Sequence, residues 1–316
     1  MLGYNVIAEA GCSHCPYVSV SDFTALPRKI LLRGVCVGVL PYVFMALCLF
    51  SKLRRKGKTT IMVLAIDIGN TNICLGCYED ETLLLTSRLF TDTSRTEDQY
   101  AIELRDIFSL YGFANRAVDG CIIGSVVPKL TTVLKAAVEK YLRCRVVTVS
   151  PGIKTGLNLR AENPAGIGAD FVCGAVGAMA KYSLPCVVFD LGTATKIYAI
   201  DHTGSFIGGS ILPGVMISLE ALASRTAQLP AIGLDGQDPP LISTITVESM
   251  RSGLLYGTAS MMDGMARRYA ESFDTPPAVV ATGGISPAVV KHCREKVILD
   301  SDLVLDGLYL IYKKNL

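Results

Sequence analysis

From Met62 onward, apolar and polar positions fall into short runs that read as strands and helices in succession. Met62–Ile68 (MVLAIDI) is apolar and β-branched, and it ends in Gly69-Asn70-Thr71-Asn72, residue types that favour tight turns. Apolar runs at Ile73–Tyr78 and Leu83–Phe90 follow, separated by a turn at Glu79-Asp80-Glu81. Over Thr96–Tyr111 the residues Tyr100, Ile102, Leu104, Ile107, Phe108 and Tyr111 recur at helical spacing. Gly120–Ser125 reads as a further strand and Lys129–Leu142 as an amphipathic helix. The order is therefore strand, strand, strand, helix, strand, helix, with an apolar helix predicted later over Phe171–Met179.

That order begins again in the second half. Cys186–Asp190 (CVVFD) is a strand ending in Leu191-Gly192-Thr193-Ala194-Thr195, and strands over Lys196–Asp201 and Phe206–Ile211 follow. A helix is predicted after Pro213-Gly214, through Leu222. The two openings, AIDIGNTN at 65–72 and VFDLGTAT at 188–195, share one plan: an apolar strand delivers an Asp, then an apolar residue, a Gly, and small hydroxyl or amide residues. A single D-x-G-x-T turn is common; a matched pair in matched surroundings is a strong signal of an internally repeated α/β fold.

The chemistry of such a loop points to phosphate. Glycine at a strand-to-strand turn lets backbone N–H groups approach phosphate oxygens without a Cβ in the way. Asn and Thr side chains add hydrogen bonds, and an Asp at a strand end can hold Mg²⁺ bridging a polyphosphate. Two such hairpins facing each other would grip a nucleotide from both sides. A third element agrees: the strand Ala278–Ala281 leads into Thr282-Gly283-Gly284 and a helix predicted over Pro287–Arg294, a junction where a flat base or ribose can lie against backbone.

Composition narrows the classes of partner. Half of the 316 residues are apolar, 18% are charged and the net charge is +2, which fits a compact α/β protein and implies no nucleic-acid partner. Residues 1–61 differ in texture and read as an N-terminal extension. Val35–Phe50 carries no charge and is followed by Lys52, Arg54, Arg55, Lys56 and Lys58. Extended to 30–50 it is a candidate transmembrane segment, with the basic flank placing the following domain in the cytoplasm. The alternative, preferred because Met62 stands directly before the first strand of a complete domain, is upstream sequence ahead of a working start at Met62. Membrane association is expected only if 30–50 is a real anchor. Among eleven cysteines, Cys12-x-x-Cys15 with His14 has no second half at zinc-site spacing, and Cys74-x-x-Cys77 lies in a strand where the two thiols point to opposite faces. Buried reduced thiols in a reducing compartment are expected. The three histidines have no partner at ligand or triad spacing.

Within these motifs the chain resembles the actin and sugar-kinase superfold, and within that superfold the type III pantothenate kinases. The family-like stretches are DIGNTN (67–72), NPAGIGAD (163–170), DLGTAT (190–195), GGSILPGV (208–215), TAQLP (226–230), TVESMRSG (246–253) and ATGGIS (281–286), in family order from Met62 to Leu316. The resemblance implies two similar actin-like ATPase (ribonuclease H-like) domains, 62–180 and 181–316, with mixed sheets flanked by helices and a nucleotide cleft between them. It implies ATP-dependent phosphorylation of pantothenate, the first committed step toward coenzyme A, by a cytoplasmic homodimer. Asp170 corresponds to the catalytic base. Asp67, Ile68, Gly69, Asn70, Thr71, Asn72, Ile73 and Cys74 correspond to the first phosphate loop, and Thr193 to an ATP contact. Gly168, Ala169, Asp170, Phe171 and Thr246 correspond to the substrate side, with Thr246 contributed near the dimer interface. Asp190 matches the ligand of a monovalent cation, K⁺ or NH₄⁺, and Asp67 takes Mg²⁺ through the nucleotide. On residue chemistry alone, Asp170 also reads as a helix N-cap.

Four positions depart from the family pattern. Phe171 replaces the Arg that usually follows the catalytic Asp, Ala161 replaces an aromatic pocket residue, Gly166 replaces a Glu, and Lys196 replaces a Thr. Arg160 and Arg225 are the candidates to supply the missing positive charge. The nucleotide side is intact and the acceptor side is altered. Two other readings follow from this: a degenerate nucleotide-binding relative with a regulatory role, and a kinase for another small hydroxyl substrate.

Overall fold

The computed structural model describes residues 60–234 and 236–316, so the candidate span 30–50 and the Cys12/Cys15 pair lie outside the described residues. Thr60–Leu316 forms one compact unit. Among the described residues no helix is long and apolar enough to cross a membrane.

The repeat in the sequence is a repeat in topology. In the first sheet the strands β1 (Met62–Ile68), β2 (Asn72–Glu79), β3 (Thr82–Phe90), β4 (Gly120–Ser125) and β5 (Arg145–Thr148) lie in the order β3-β2-β1-β4-β5. β1–β2 and β2–β3 are antiparallel, whereas β1–β4 and β4–β5 are parallel. In the second sheet β7 (Cys186–Leu191), β8 (Ala194–Ile200), β9 (Ser205–Pro213), β10 (Ala278–Thr282) and β11 (Ile298–Leu299) repeat that order as β9-β8-β7-β10-β11, with the same pair directions. The two-residue strand β6 (Asn158–Leu159) extends this sheet beyond β9. This twice-used mixed topology is the actin-like ATPase fold.

Helices cover the sheets. α1 (Glu97–Leu110) starts from a capping box formed by Thr96 and Gln99, and α2 (Pro128–Leu142) from a proline in its first turn. Both lie on the β1 face built by Leu64, Ile66 and Ile68. The opposite face of β1, through Val63 and Ala65, is covered by α3 (Ala169–Lys181) and by α7 (Leu303–Lys314), which returns from the C-terminus to the first sheet. β1 and β7 are buried on both faces, which explains their unbroken apolar runs. α3 also packs on the second sheet through Ala175 and Ala178, so one helix serves both cores. The 25-residue α5 (Thr246–Ala270) covers the outer face of β7, and α4 (Val215–Arg225) packs on its N-terminal half. α6 is short, Ser286–Val290, where the pattern predicts a helix reaching Arg294.

Candidate active site

Strand register decides what faces the cleft. In an antiparallel pair, residues directly opposite each other project from the same face of the sheet. Asp67 on β1 pairs with Cys74 on β2, which pairs with Arg88 on β3, so these three side chains form one row. The second repeat builds the matching row from Asp190 on β7 and Lys196 on β8, with Thr282 of β10 beside Asp190. Two glycine turns connect these pairs: Gly69–Asn72 spans four residues and Gly192–Ala194 three. They meet tip to tip, with Thr71 Oγ1 and Thr193 Oγ1 2.8 Å apart and hydrogen-bonded. The first turn is braced by a Gly69 N–H to Asn72 carbonyl bond at 3.0 Å and by Thr91 Oγ1 donating to the Gly69 carbonyl at 2.7 Å.

A cleft of about 710 Å³ runs between these rows and takes in Asp67, Asp170, Asp190, Lys196 and the Gly283-Gly284 turn. Of the expected phosphate-side residues, Asp67, Gly69, Asn70, Asn72, Cys74 and Thr193 line it. Thr71, Ile68 and Ile73 do not: Thr71 is at the turn tip against Thr193, and both isoleucine side chains are fully buried in the core beneath the turn. On the substrate side Gly168, Asp170 and Phe171 line the cleft, whereas Ala169 does not. Thr246 is exposed at the first turn of α5 and lies outside the cleft lining.

Asp170 is not an N-cap. Gly168 occupies the cap position of α3, and Asp170 sits inside the first turn, accepting from the Phe171 N–H through Oδ1 at 2.8 Å. Glycine at 168 leaves room for that carboxylate, since a Cβ there would lie 2.5 Å from Asp170 Oδ1. The other oxygen, Oδ2, accepts from Lys196 Nζ at 2.5 Å, and the same ammonium lies 2.5 Å from Asp190 Oδ2. Lys196 Nζ also stands 5.5 Å from the centre of the Phe171 ring.

Three carboxylates around one ammonium set the electrostatics. Burial opposes the charge of Lys196, but Asp190 and Asp170 outweigh it and hold the lysine well above its usual range. Asp190 is raised by burial, against the pull of Lys196. Asp67 is pushed up to about 7, by burial first and then by Asp170 and Asp190, with Lys196 opposing. The excess negative charge at Asp67 fits a divalent cation carried in on a nucleotide. Mg²⁺ held that way takes one or two carboxylates plus phosphate oxygens and needs no cage of protein ligands. None is present: among the described residues no group of three or more His, Cys, Asp or Glu side chains converges on a metal position.

The monovalent cation expected at Asp190 does not fit these residues, because the Lys196 ammonium already occupies the inner side of that carboxylate. Nor do Arg160 and Arg225 supply the charge missing at Phe171. Arg160 pairs with Asp201 at 3.2 Å, Arg225 is exposed at the end of α4, and neither lines the cleft. Arg88 is the cleft cation that pattern reading missed. Its guanidinium approaches the Gly283-Gly284 turn, with Nη1 3.1 Å from the place a Cβ on Gly284 would take. The signal was its place two strands across from Asp67, visible only once the register is known. The seven cysteines among the described residues are free, as expected, and burial raises the Cys74 thiol beside Asp67.

Comparison with known proteins agrees with this geometry. The family profile described as Type III pantothenate kinase matches residues 63–268. The chain is 42% identical over 254 residues to the Type III pantothenate kinase of Halalkalibacterium halodurans, covering 80% of this chain and 100% of that protein. It is 39% identical over 259 residues to that of Rubrobacter xylanophilus, covering 80% and 98%. The Type III pantothenate kinase of Listeria innocua matches at 39% over 254 residues, again covering 80% and 98%.

Proposed function

This chain belongs to the type III pantothenate kinase family, and from that premise we propose that it transfers the γ-phosphoryl group of ATP to the hydroxyl of pantothenate, yielding ADP and 4'-phosphopantothenate on the way to coenzyme A. The observation that supports it best is the meeting of two phosphate-type turns, joined through Thr71 and Thr193, with Asp67, Asp170 and Asp190 around one cleft.

The backbone N–H groups of Asn70–Asn72 and Gly192–Ala194, with the Asn70 and Asn72 amides, hold the polyphosphate. Arg88, with its fixed fork of donors, is suited to the same charge. Asp67 is the carboxylate that would take Mg²⁺ through the nucleotide, and the metal would neutralise charge between the β- and γ-phosphates. The Gly283-Gly284 turn receives the adenosine. Asp170 orients the acceptor hydroxyl and accepts its proton as the new O–P bond forms and the bond to ADP breaks. Phosphoryl transfer is loose, so placement of the hydroxyl matters more than its deprotonation. The halves 62–180 and 181–316 act as the two jaws of the cleft. Thr246 completes the pantothenate side from a second copy in a homodimer, and the reaction belongs in the cytoplasm.

A coupled ADP-release assay on the full chain with ATP, Mg²⁺ and pantothenate tests the reading. Pantothenate-dependent release is expected, falling about 100-fold or more in Asp170→Asn, in the range of a lost general base. Nucleotide binding with no pantothenate-dependent release would reject the assignment.

A further inference from the structure

Two of the departures from the family pattern are one structural change. Where an arginine usually follows the catalytic aspartate this chain has Phe171, and where a threonine usually stands it has Lys196. The Lys196 head group lies over the Phe171 ring at 5.5 Å, so the positive charge absent at 171 returns from the strand facing it. Its place is not accidental. The β7–β8 register sets Lys196 directly opposite Asp190, and the start of α3 brings Asp170 to the same point. The ammonium bridges the two carboxylates at 2.5 Å each, with only 12% of the side chain exposed. A lysine ammonium has three donors. Two of them are spent on Asp190 and Asp170.

A mobile monovalent cation at Asp190 would therefore meet a fixed positive charge on the carboxylate oxygen it needs. Two like charges that close repel each other strongly. We propose that the Lys196 ammonium is a built-in replacement for that cation: it neutralises Asp190, positions Asp170, and makes the enzyme independent of potassium and ammonium. The proposal rests on the kinase reading above for its activity arm. Lys196 is a positioning residue and leaves the bonds made and broken unchanged.

The test is a cation titration of the full chain at constant ionic strength, from choline chloride to KCl, with ATP supplied free of potassium and ammonium. For the wild type, kcat/KM for pantothenate is expected to change by under about twofold. Lys196→Thr is expected to lose about 10–100-fold in choline, as for removal of a group that orients a catalytic ligand. It should regain most of that with K⁺ or NH₄⁺ but not with Li⁺, a rescue that a merely structural lysine would not permit. Calorimetric titration of Mg²⁺·AMPPNP in choline and in KCl gives a readout without turnover: wild-type affinity is expected to be equal in both, and Lys196→Thr affinity to be higher in KCl. A wild type whose turnover or nucleotide affinity rises tenfold or more with K⁺ overturns the replacement, with or without folded variants. Absence of pantothenate turnover with cation-independent AMPPNP binding would instead reject the substrate reading and keep the cation replacement.

Discussion

At Asp67, function and stability pull against each other. Its carboxyl is pushed from 3.8 to about 7, by burial above all, while in the unfolded chain it ionises near its ordinary value. Between those two values the folded state holds the extra proton, so stability falls as pH rises from about 4 to about 7 and is flat above. The full shift would correspond to about 4 kcal/mol at 1.36 per unit, and water in the cleft reduces it to about 1–2. Asp67→Asn is therefore expected to stabilise the unliganded protein by that amount at pH 7.5 and to be neutral near pH 4, read from urea midpoints at both. The same substitution should weaken Mg²⁺·AMPPNP binding. Equal midpoints at pH 7.5 would mean that the carboxyl is not charged at the expense of folding. Asp67 was legible in the sequence because its turn carries a strong local pattern. Lys196 was visible only as a departure, since its two partners come from 6 and 26 residues away, through a strand register and a helix start that no local window contains.

Elements were legible where a short apolar run or a helical period is bounded by turn residues. The strands of both hairpins, α1 and α2 follow the pattern within a residue or two: β1 and β7 are unbroken apolar runs ending in turn residues, and helical spacing marks the buried faces of α1 and α2. α7 is apolar along most of its length, since it lies between the first sheet and α3, and a buried apolar run of that kind does not by itself tell helix from strand. α5 hides for the opposite reason: Ser, Gly and Thr interrupt its apolar stripe. What holds α7 in place is close backbone contact with α3. A Cβ on Gly307 would lie 1.8 Å from the Cys173 carbonyl oxygen, and one on Gly177 would lie 2.3 Å from that of Leu303. Gly307→Ala must push the helices apart and should destabilise by about 1–3 kcal/mol or more, as overpacking does. Gly264→Ala on α5 is the control: its Cβ meets nothing, and the gain in helix propensity should stabilise by about 0.5–1 kcal/mol. Thermal melts of the two variants should move in opposite directions. Because α3 carries Asp170, Gly307→Ala should also lower kcat more than it raises the KM for ATP.

On the scale of the whole molecule, one run of exposed apolar residues stands beside a residue the resemblance assigns to the substrate. Leu241, Ile242, Ile245 and Val247 stand 66%, 89%, 56% and 38% exposed around the start of α5, and Met216 and Ile217 of α4 add 42% and 41%. Large apolar side chains left exposed on loop and helix mark an interaction surface. Thr246 sits in its midst, outside the cleft lining of its own chain. The homodimer proposed above, if formed through this surface, would cover the apolar side chains and let one copy's Thr246 serve the other's pantothenate side. Thr246 enters by resemblance alone; no local pattern in the sequence singles it out. The prediction separates assembly from contact. Ile242→Glu with Ile245→Glu, measured by light scattering on the full chain, should give monomers, with the KM for pantothenate raised about tenfold or more and AMPPNP affinity unchanged, as expected when only one side of a shared site is lost. Thr246→Ala should leave the dimer intact and raise the same KM. Monomers that keep the wild-type KM would show that the cleft is complete within one chain, and Thr246 would then have no part in binding the acceptor.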